Sequence, residues 1–401
     1  MKKLLLTFSA AALLFSCSVE SKKEKTESQF SDIFAKVKEE FAPDRRAKTF
    51  EAKLDVSEKG ETIVLRGSTT EPEARATLVT KLTEAGIDVL DSMINLPHPA
   101  LGDKIYGVTN QSVINFRYSP SYSSESATQT VMGAPLQILE KRGGWTRAIT
   151  PEGYIAWVSS GSIAYMNLEQ FNDWRAAKKV IITSHYTLYR AGASERSDVV
   201  ADGVMGNIVK FIATAGPYVK VELPDGRVAF VLTSHTADFS RWLSSRNPSP
   251  ENILTTAREF VGFPYMWGGT SIKAMDCSGF TKTVYFLNGV ILERDASQQA
   301  KTGEDVELTD DFGNLKAGDL LFFGSKATES RSERITHVGI YMANGEFIHA
   351  ATSVRINSLL PDAANYYEGS TRLVRARRIL TMIDKDPDII SVSKHPWYVA
   401  N

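Results

Sequence analysis

Apolar residues recur along this 401-residue chain with two periods that alternate from segment to segment. Phe30, Ile33, Phe34, Val37 and Phe41 fall at helical spacing and predict a short amphipathic helix. From Phe50 the period shortens. Phe50-Ala52-Leu54 alternates, Ile63-Val64-Leu65 is closed by Gly67, residues 72–85 carry helix formers ended by Gly86, and Ile87-Asp88-Val89-Leu90 returns to a strand. Residues 29–105 therefore predict a small α+β module, with no chemistry visible in it.

Two later stretches look like copies of one another. Residues 144–158 match residues 216–231 apart from one insertion: each has an alternating strand, a turn (Pro151-Glu152-Gly153, Pro224-Asp225-Gly226) and a second alternating strand. Trp145 to Pro151 and Tyr218 to Pro224 are equally spaced, so the two hairpin signatures share a register. The pattern resembles the bacterial SH3-like barrel, duplicated over 106–170 and 178–240.

After Asn247-Pro248-Ser249-Pro250 a third pattern covers 250–385. Residues 253–261 read as a helix, and Gly262-Phe263-Pro264-Tyr265-Met266-Trp267-Gly268-Gly269 as a loop. Phe280, Val284, Tyr285 and Leu287 fit an amphipathic helix that starts at Cys277 and stops at Asn288-Gly289. Residues 337–342 alternate, Ala343-Asn344-Gly345 breaks the run, and 346–351 form a return strand. A two-residue Asn344-Gly345 turn pairs Ala343 with Glu346 and sends His337 and His349 to opposite faces. A three-residue loop, with Gly345 left-handed, pairs Met342 with Glu346 and puts both histidines on one face. The second register sets His349 opposite Gly339 and diagonal to His337, at about 7–8 Å along the backbone, within reach of two imidazoles.

Composition bears on the chemistry through cysteine and charge. The 46 Lys and Arg against 47 Asp and Glu give a formal net charge of −1, with no global attraction for nucleic acid. The length predicts two to four domains at about 100–200 residues each. Of the two cysteines, Cys17 follows Lys2-Lys3 and an apolar run over 4–15, the layout of a secretory signal and too short for a span of about 20 residues. Leu14-Phe15-Ser16-Cys17 resembles a bacterial lipobox, which implies lipidation at Cys17 and an exported, envelope-anchored protein that touches membrane only through its lipid. Residues 18–28, with Lys22-Lys23-Glu24-Lys25, then predict a disordered tether.

With Cys17 acylated, Cys277 is left as a lone exported thiol, an oxidation-sensitive group whose retention suggests use. At a helix start, unpaired N–H groups and the dipole favour the thiolate, but by only about 0.3–1 kcal/mol, so a nearby imidazolium is expected to supply the rest. Cys277 as nucleophile, His337 as its base and His349 as the residue orienting that base is the resulting expectation.

Pro264-Tyr265-Met266-Trp267-Gly268-Gly269, Asp276-Cys277-Ser278-Gly279-Phe280, Ala317-Gly318-Asp319-Leu320-Leu321-Phe322-Phe323, His337-Val338-Gly339-Ile340-Tyr341 and Phe347-Ile348-His349-Ala350 occur in that order. Over 251–380 the chain closely resembles the NlpC family of papain-like cell-wall cysteine peptidases. The resemblance implies an α+β papain-like core that hydrolyses the γ-D-glutamyl bond to a diamino acid in peptidoglycan stem peptides, without cofactor or metal. By position it assigns the nucleophile to Cys277, the base to His337, the third polar residue to His349 and an oxyanion contact to Tyr265, and it makes Ala317-Gly318-Asp319 a turn. Two SH3-like barrels ahead of such a domain narrow the resemblance to γ-D-glutamyl-L-diamino acid endopeptidases, whose substrates, such as L-Ala-γ-D-Glu-diaminopimelate, carry a free N-terminal L-alanine. The matching amine-gripping positions are Glu125 and Tyr154 from the first barrel, with Asp276, Ser278, Asp295 and Ser297. A monomer is expected.

Three other readings stay open on the sequence: a zinc site built from Cys277, His337 and His349, a non-catalytic peptidoglycan-binding lipoprotein, and an acyltransferase on the same core.

Overall fold

The computed structural model describes the backbone of residues 8–57 and 62–400 and side chains from residue 23 onward. The expected signal over 1–17 falls partly outside the described residues, and Cys17 outside the described side chains. The chain divides into two compact units, Met1–Leu101 and Gly102–Asn401.

In the first unit a helix runs over Phe8–Phe41, so residues 18–28 are helical rather than an unstructured tether. The physical reason is local: this stretch holds neither Gly nor Pro, and Lys23 and Glu27 form an i,i+4 pair at 3.9 Å. Strand Ile63–Thr69 pairs antiparallel with Phe50–Val56 and parallel with Leu90–Asn95, the crossover being helix Pro72–Glu84. Val37, Phe50, Leu65, Leu78, Leu82 and Met93 close a common core between helices and sheet.

The second unit holds two seven-stranded antiparallel sheets and the Cys277 domain. In chain order the first copy's strands are Tyr106–Thr109, Val113–Arg117, Ser126–Val131, Pro135–Arg142, Trp145–Ile149, Ile155–Ser159 and Ile163–Met166. Those of the second are Lys179–Ile182, Tyr186–Arg190, Val199–Val204, Ile208–Ala215, Tyr218–Glu222, Val228–Leu232 and Thr236–Asp238. Both sheets read, by position in their own copy, seventh, first, fourth, fifth, sixth, second, third. The duplication seen in two hairpins thus extends to the whole topology. Closed barrels are not formed: the third and seventh strands of each copy stand at opposite ends of the order and do not pair. The turn residues Gly153 and Gly226 have φ of 80° and 87°, which the absence of a Cβ permits.

In the last domain helix Cys277–Leu287 lies on a six-stranded sheet ordered Glu304–Val306, Leu373–Arg378, Leu320–Ser325, Arg334–Ala343, Glu346–Ala350, Val354–Ser358. Phe280 and Val284 pack with Leu320, Phe322, Val338, Ile340 and Ile348 on one face, while Phe323, Tyr341 and Phe347 fill the other. Helix and sheet segregate in this domain, giving an α+β class. Gly318, at φ 90°, and Asp319 form a turn held by Arg378, which donates to both Asp319 carboxylate oxygens at 3.0 and 2.9 Å.

Candidate active site

The hairpin that carries the histidines solves its register in a way the sequence left open. Asn344 (φ 52°) and Gly345 (φ 80°) both take positive φ, the signature of a two-residue type I′ turn, and Ala343 pairs with Glu346. The three-residue loop expected from the sequence is therefore absent. A bulge between Tyr341 and Ala343 absorbs one residue, after which Tyr341 pairs with Phe347 and Ile340 with Ile348. The bulge restores the parity that the turn alone would reverse, and the two histidines share a face. Gly339 is required there: a Cβ on it would stand 3.1 Å from His349 Cβ and 2.8 Å from the Phe347 ring.

His337 Nε2 lies 2.6 Å from His349 Nδ1, and His349 Nε2 lies 2.9 Å from Asn357 Oδ1. Asn357 Nδ2 donates to the Asn365 carbonyl at 2.7 Å, which fixes the amide with its oxygen toward His349. His349 then carries its proton on Nε2 and offers Nδ1 as an acceptor. His337 must donate from Nε2, so its Nδ1 holds the free lone pair. This relay selects the base tautomer of His337 through three side chains, and sequence reasoning missed Asn357 altogether. The one signal for it is Val354–Ser358 as the next strand of the sheet.

Cys277 sits at the first position of its helix, nearly buried, behind the N-cap Asp276, whose Oδ1 accepts from Gly279 N at 2.7 Å. Burial and the neighbouring Asp276 carboxylate push the thiol up to about 12, while the Val338 and Ser278 main-chain N–H groups and Arg294 pull against them. The Val338 contact places the thiol beside the residue that follows His337. Burial, then His349 and Arg372, bring His337 down to about 3, and burial brings His349 down to about 4. Burial thus favours the neutral form of each group, against the charged forms expected from the sequence. Desolvation outweighs the helix dipole here. A neutral imidazole with a free Nδ1 can take the thiol proton as attack proceeds.

Tyr265 stands close enough to Cys277 and Asp276 for both, after burial, to raise its phenol, and among the described residues its hydroxyl makes no hydrogen bond. It is a free donor for a developing oxyanion. A zinc site does not fit: beside the Cys277 sulfur it would need a nitrogen from each imidazole, and both His349 nitrogens are already hydrogen-bonded, Nδ1 to His337 at 2.6 Å and Nε2 to Asn357 at 2.9 Å.

The expected amine-gripping residues fall into two groups. Asp276 and Ser278 are buried and already engaged. Arg294 donates to Asp276 Oδ1 at 3.1 Å and Oδ2 at 2.6 Å, and to Ser278 Oγ at 2.9 Å, while Gly268 N donates to Oδ2 at 2.9 Å. Neither is open to a ligand amine; they brace the helix start, a correction to the expectation. Arg294 is 1% exposed and also donates from Nε to Thr128 Oγ1 of the first SH3-like copy at 2.9 Å.

The second group lies where that copy meets the cleft. Tyr154 Oη donates to Asp295 Oδ2 at 3.3 Å and accepts from Tyr118 Oη at 3.1 Å. Asp295 caps helix Ala296–Gln299, and Ser297 lies half-buried in its first turn. Glu125 is exposed, and its neighbour Ser126 touches Gly268 of the 262–269 loop. Gln129 seals the seam, accepting from Thr270 N at 3.0 Å and, through its carbonyl, from Thr270 Oγ1 at 2.8 Å.

Comparison with known proteins agrees with this construction. Residues 262–376 match the NlpC/P60 family and residues 112–164 the bacterial SH3 domain. A γ-D-glutamyl-L-lysine dipeptidyl-peptidase of Bacillus subtilis is 30% identical over 257 residues, covering 62% of this chain and 80% of the relative. A protein of the same name from Bacillus cereus is 27% identical over 242 residues, covering 58% and 70%. The crystal structure of an NlpC/P60 family protein from Bacillus cereus superposes with a TM-score of 0.57 at 21% identity, over 68% of this chain and 99% of the other, and shows the shared fold. The chain belongs to the NlpC/P60 family and is a cysteine peptidase.

Proposed function

We propose that the chain is a papain-like endopeptidase that hydrolyses the γ-D-glutamyl-L-diamino acid bond of peptidoglycan stem peptides, preferring those with a free N-terminal L-alanine. The observation that carries the chemistry is the His337–His349–Asn357 relay, which leaves His337 Nδ1 with a free lone pair on the residue next to Val338, whose main-chain N–H reaches the helix-start thiol. The relatives named for γ-D-glutamyl-L-lysine cleavage support the bond.

Cys277 Sγ attacks the γ-carbonyl carbon of D-glutamate as its proton passes to His337 Nδ1. The tetrahedral oxygen takes hydrogen bonds from Tyr265 Oη and the main-chain N–H at Cys277. On collapse the C–N bond breaks, and His337 returns the proton to the leaving amine. Water, deprotonated by His337, then attacks the thioester, releasing the acyl dipeptide and restoring the thiol.

The amine preference rests on Asp295, Tyr154 and Glu125 at the edge formed by the first SH3-like copy. An N-acylated stem would leave a carboxylate there without its ammonium partner, a loss of about 1–3 kcal/mol or more for a charged group. Substrates would then be peptides already freed from the glycan, and the role recycling. The protein would act as an exported monomer anchored through acylated Cys17.

The test is incubation of the protein and its Cys277→Ala variant with L-Ala-γ-D-Glu-diaminopimelate and its N-acetyl derivative, with products read by mass spectrometry. Cysteine-dependent release of L-Ala-D-Glu from the free peptide alone is expected. Equal cleavage of both removes the amine preference, and cleavage of neither removes the peptidase assignment of substrate.

A further inference from the structure

Two exposed arginines, Arg355 and Arg372, neighbour the two histidines. His349 pairs directly across the sheet with Arg355, so both side chains leave the same face. Asn357, two residues further on that face, confirms the orientation by accepting from His349. Arg372 ends the turn Glu368–Arg372, and the next residue, Leu373, pairs with Phe323, which pairs in turn with His337. Tyr367, just before that turn, lies with its ring centroid 6.1 Å from His337 and 5.0 Å from His349.

Arg355 and Arg372 are both exposed, and neither makes an ion pair among the described residues. Arg355 has one hydrogen bond among them, to Thr352 Oγ1 at 3.3 Å. The guanidiniums work against the chemistry as it stands, since Arg372 disfavours a proton on His337 and Arg355 one on His349. An imidazolium must nevertheless form when Cys277 attacks. An anion bound between the arginines would cancel that opposition during the reaction. The proton that His337 returns goes to the leaving amine, so the leaving residue must lie over the histidine end of the cleft.

We propose that Arg372 and Arg355 form a carboxylate-binding subsite for the leaving diamino acid. This rests on the reading of the scissile bond given above. The carboxylate has two sources, the α-carboxylate of a chain-terminal residue or the side-chain carboxylate of diaminopimelate. In either case, binding it both positions the leaving group and relieves the charge opposing protonation of His337.

The experiment measures kcat and KM of the full chain on four peptides of the form L-Ala-γ-D-Glu-X. X is diaminopimelate, diaminopimelate α-amide, lysine or lysine amide, which present both carboxylates, the side-chain one, the α one and neither. A charged hydrogen bond predicts a preference of about ten- to a hundredfold in kcat/KM for a carboxylate-bearing peptide over lysine amide. Lysine favoured over its amide identifies the α-carboxylate, and diaminopimelate α-amide favoured over lysine amide identifies the side chain. The preference should collapse in the Arg372→Gln/Arg355→Gln double variant, partly through kcat, and be retained in part by Arg372→Lys. No preference in the unmodified protein, or one that survives the double variant, overturns the subsite. Cleavage of none of the four overturns the scissile-bond reading, and the subsite with it.

Discussion

His337 Nε2 and His349 Nδ1 share one hydrogen bond at 2.6 Å, and its direction is set by a residue that touches neither the thiol nor His337, Asn357. Reversing that direction would place the His337 proton on Nδ1 and present the thiol with a donor in place of a base.

Asn357→Leu should therefore lower kcat by about 100-fold, the lower end of a general-base contribution, with little change in KM. Asn357→Asp keeps the acceptor and should retain more activity. The negative charge should raise the protonation range of His349, moving the acid limb of the pH–kcat profile upward. Parallel kcat measurements on both variants check this; equal losses in both would make Asn357 only a packing residue.

The pH dependence follows from the same burial. With His337 at about 3 and His349 at about 4, the unfolded chain binds more protons than the folded one between roughly pH 6.5 and those values. Stability from the two neutral imidazoles is complete above about 6.5 and falls as pH drops through this window. The acid limb of kcat/KM should lie below about pH 5, not near the ordinary histidine value. Iodoacetamide should alkylate Cys277 slowly at pH 7 and faster as pH rises, because burial and the Asp276 carboxylate push the thiol up.

Arg294→Met should cost about 3–5 kcal/mol, since it strands the Asp276 carboxylate without its bidentate partner. Adding Asp276→Asn should recover part of that loss. Denaturant midpoints for the single and double variants check the coupling, and strict additivity would show that the pair is not a unit.

Gly339→Ala sets a methyl 3.1 Å from His349 Cβ and 2.8 Å from the Phe347 ring. The overpacking should cost about 1–3 kcal/mol. Because His349 is the nearer catalytic group, kcat should fall further than thermal stability accounts for, measured at a temperature where the variant is fully folded.

Much of this was legible from periodicity. The helix from Cys277, the duplicated hairpins and the same-face histidines all follow from spacing within a few residues. The hairpin shows where such reading stops: the shared face was expected from a three-residue loop, yet it arises from a type I′ turn corrected by a bulge at Met342. Two compensating one-residue shifts leave no trace in an alternation pattern. Asp276 and Ser278 were expected to meet substrate, but Arg294 fills them, and part of its reason for being there is Thr128, 166 residues away. Sheet closure was equally invisible, since it depends on whether the third and seventh strands of each copy meet.

At Gln129 and Thr128 the first copy is fastened to the peptidase domain by buried hydrogen bonds, each using at least one side chain, while its loop around Glu125 stays at the surface. Its twin, with the same strand order, meets the peptidase domain through a different surface, with Ile181 and Ile208 packed on Ile291, Val392 and Tyr398 and Asp202 paired with Lys273 at 2.7 Å. Changes in the loop near Glu125 can therefore alter the surface beside Gly268 while leaving in place the hydrogen bonds that fasten the copy to the peptidase domain.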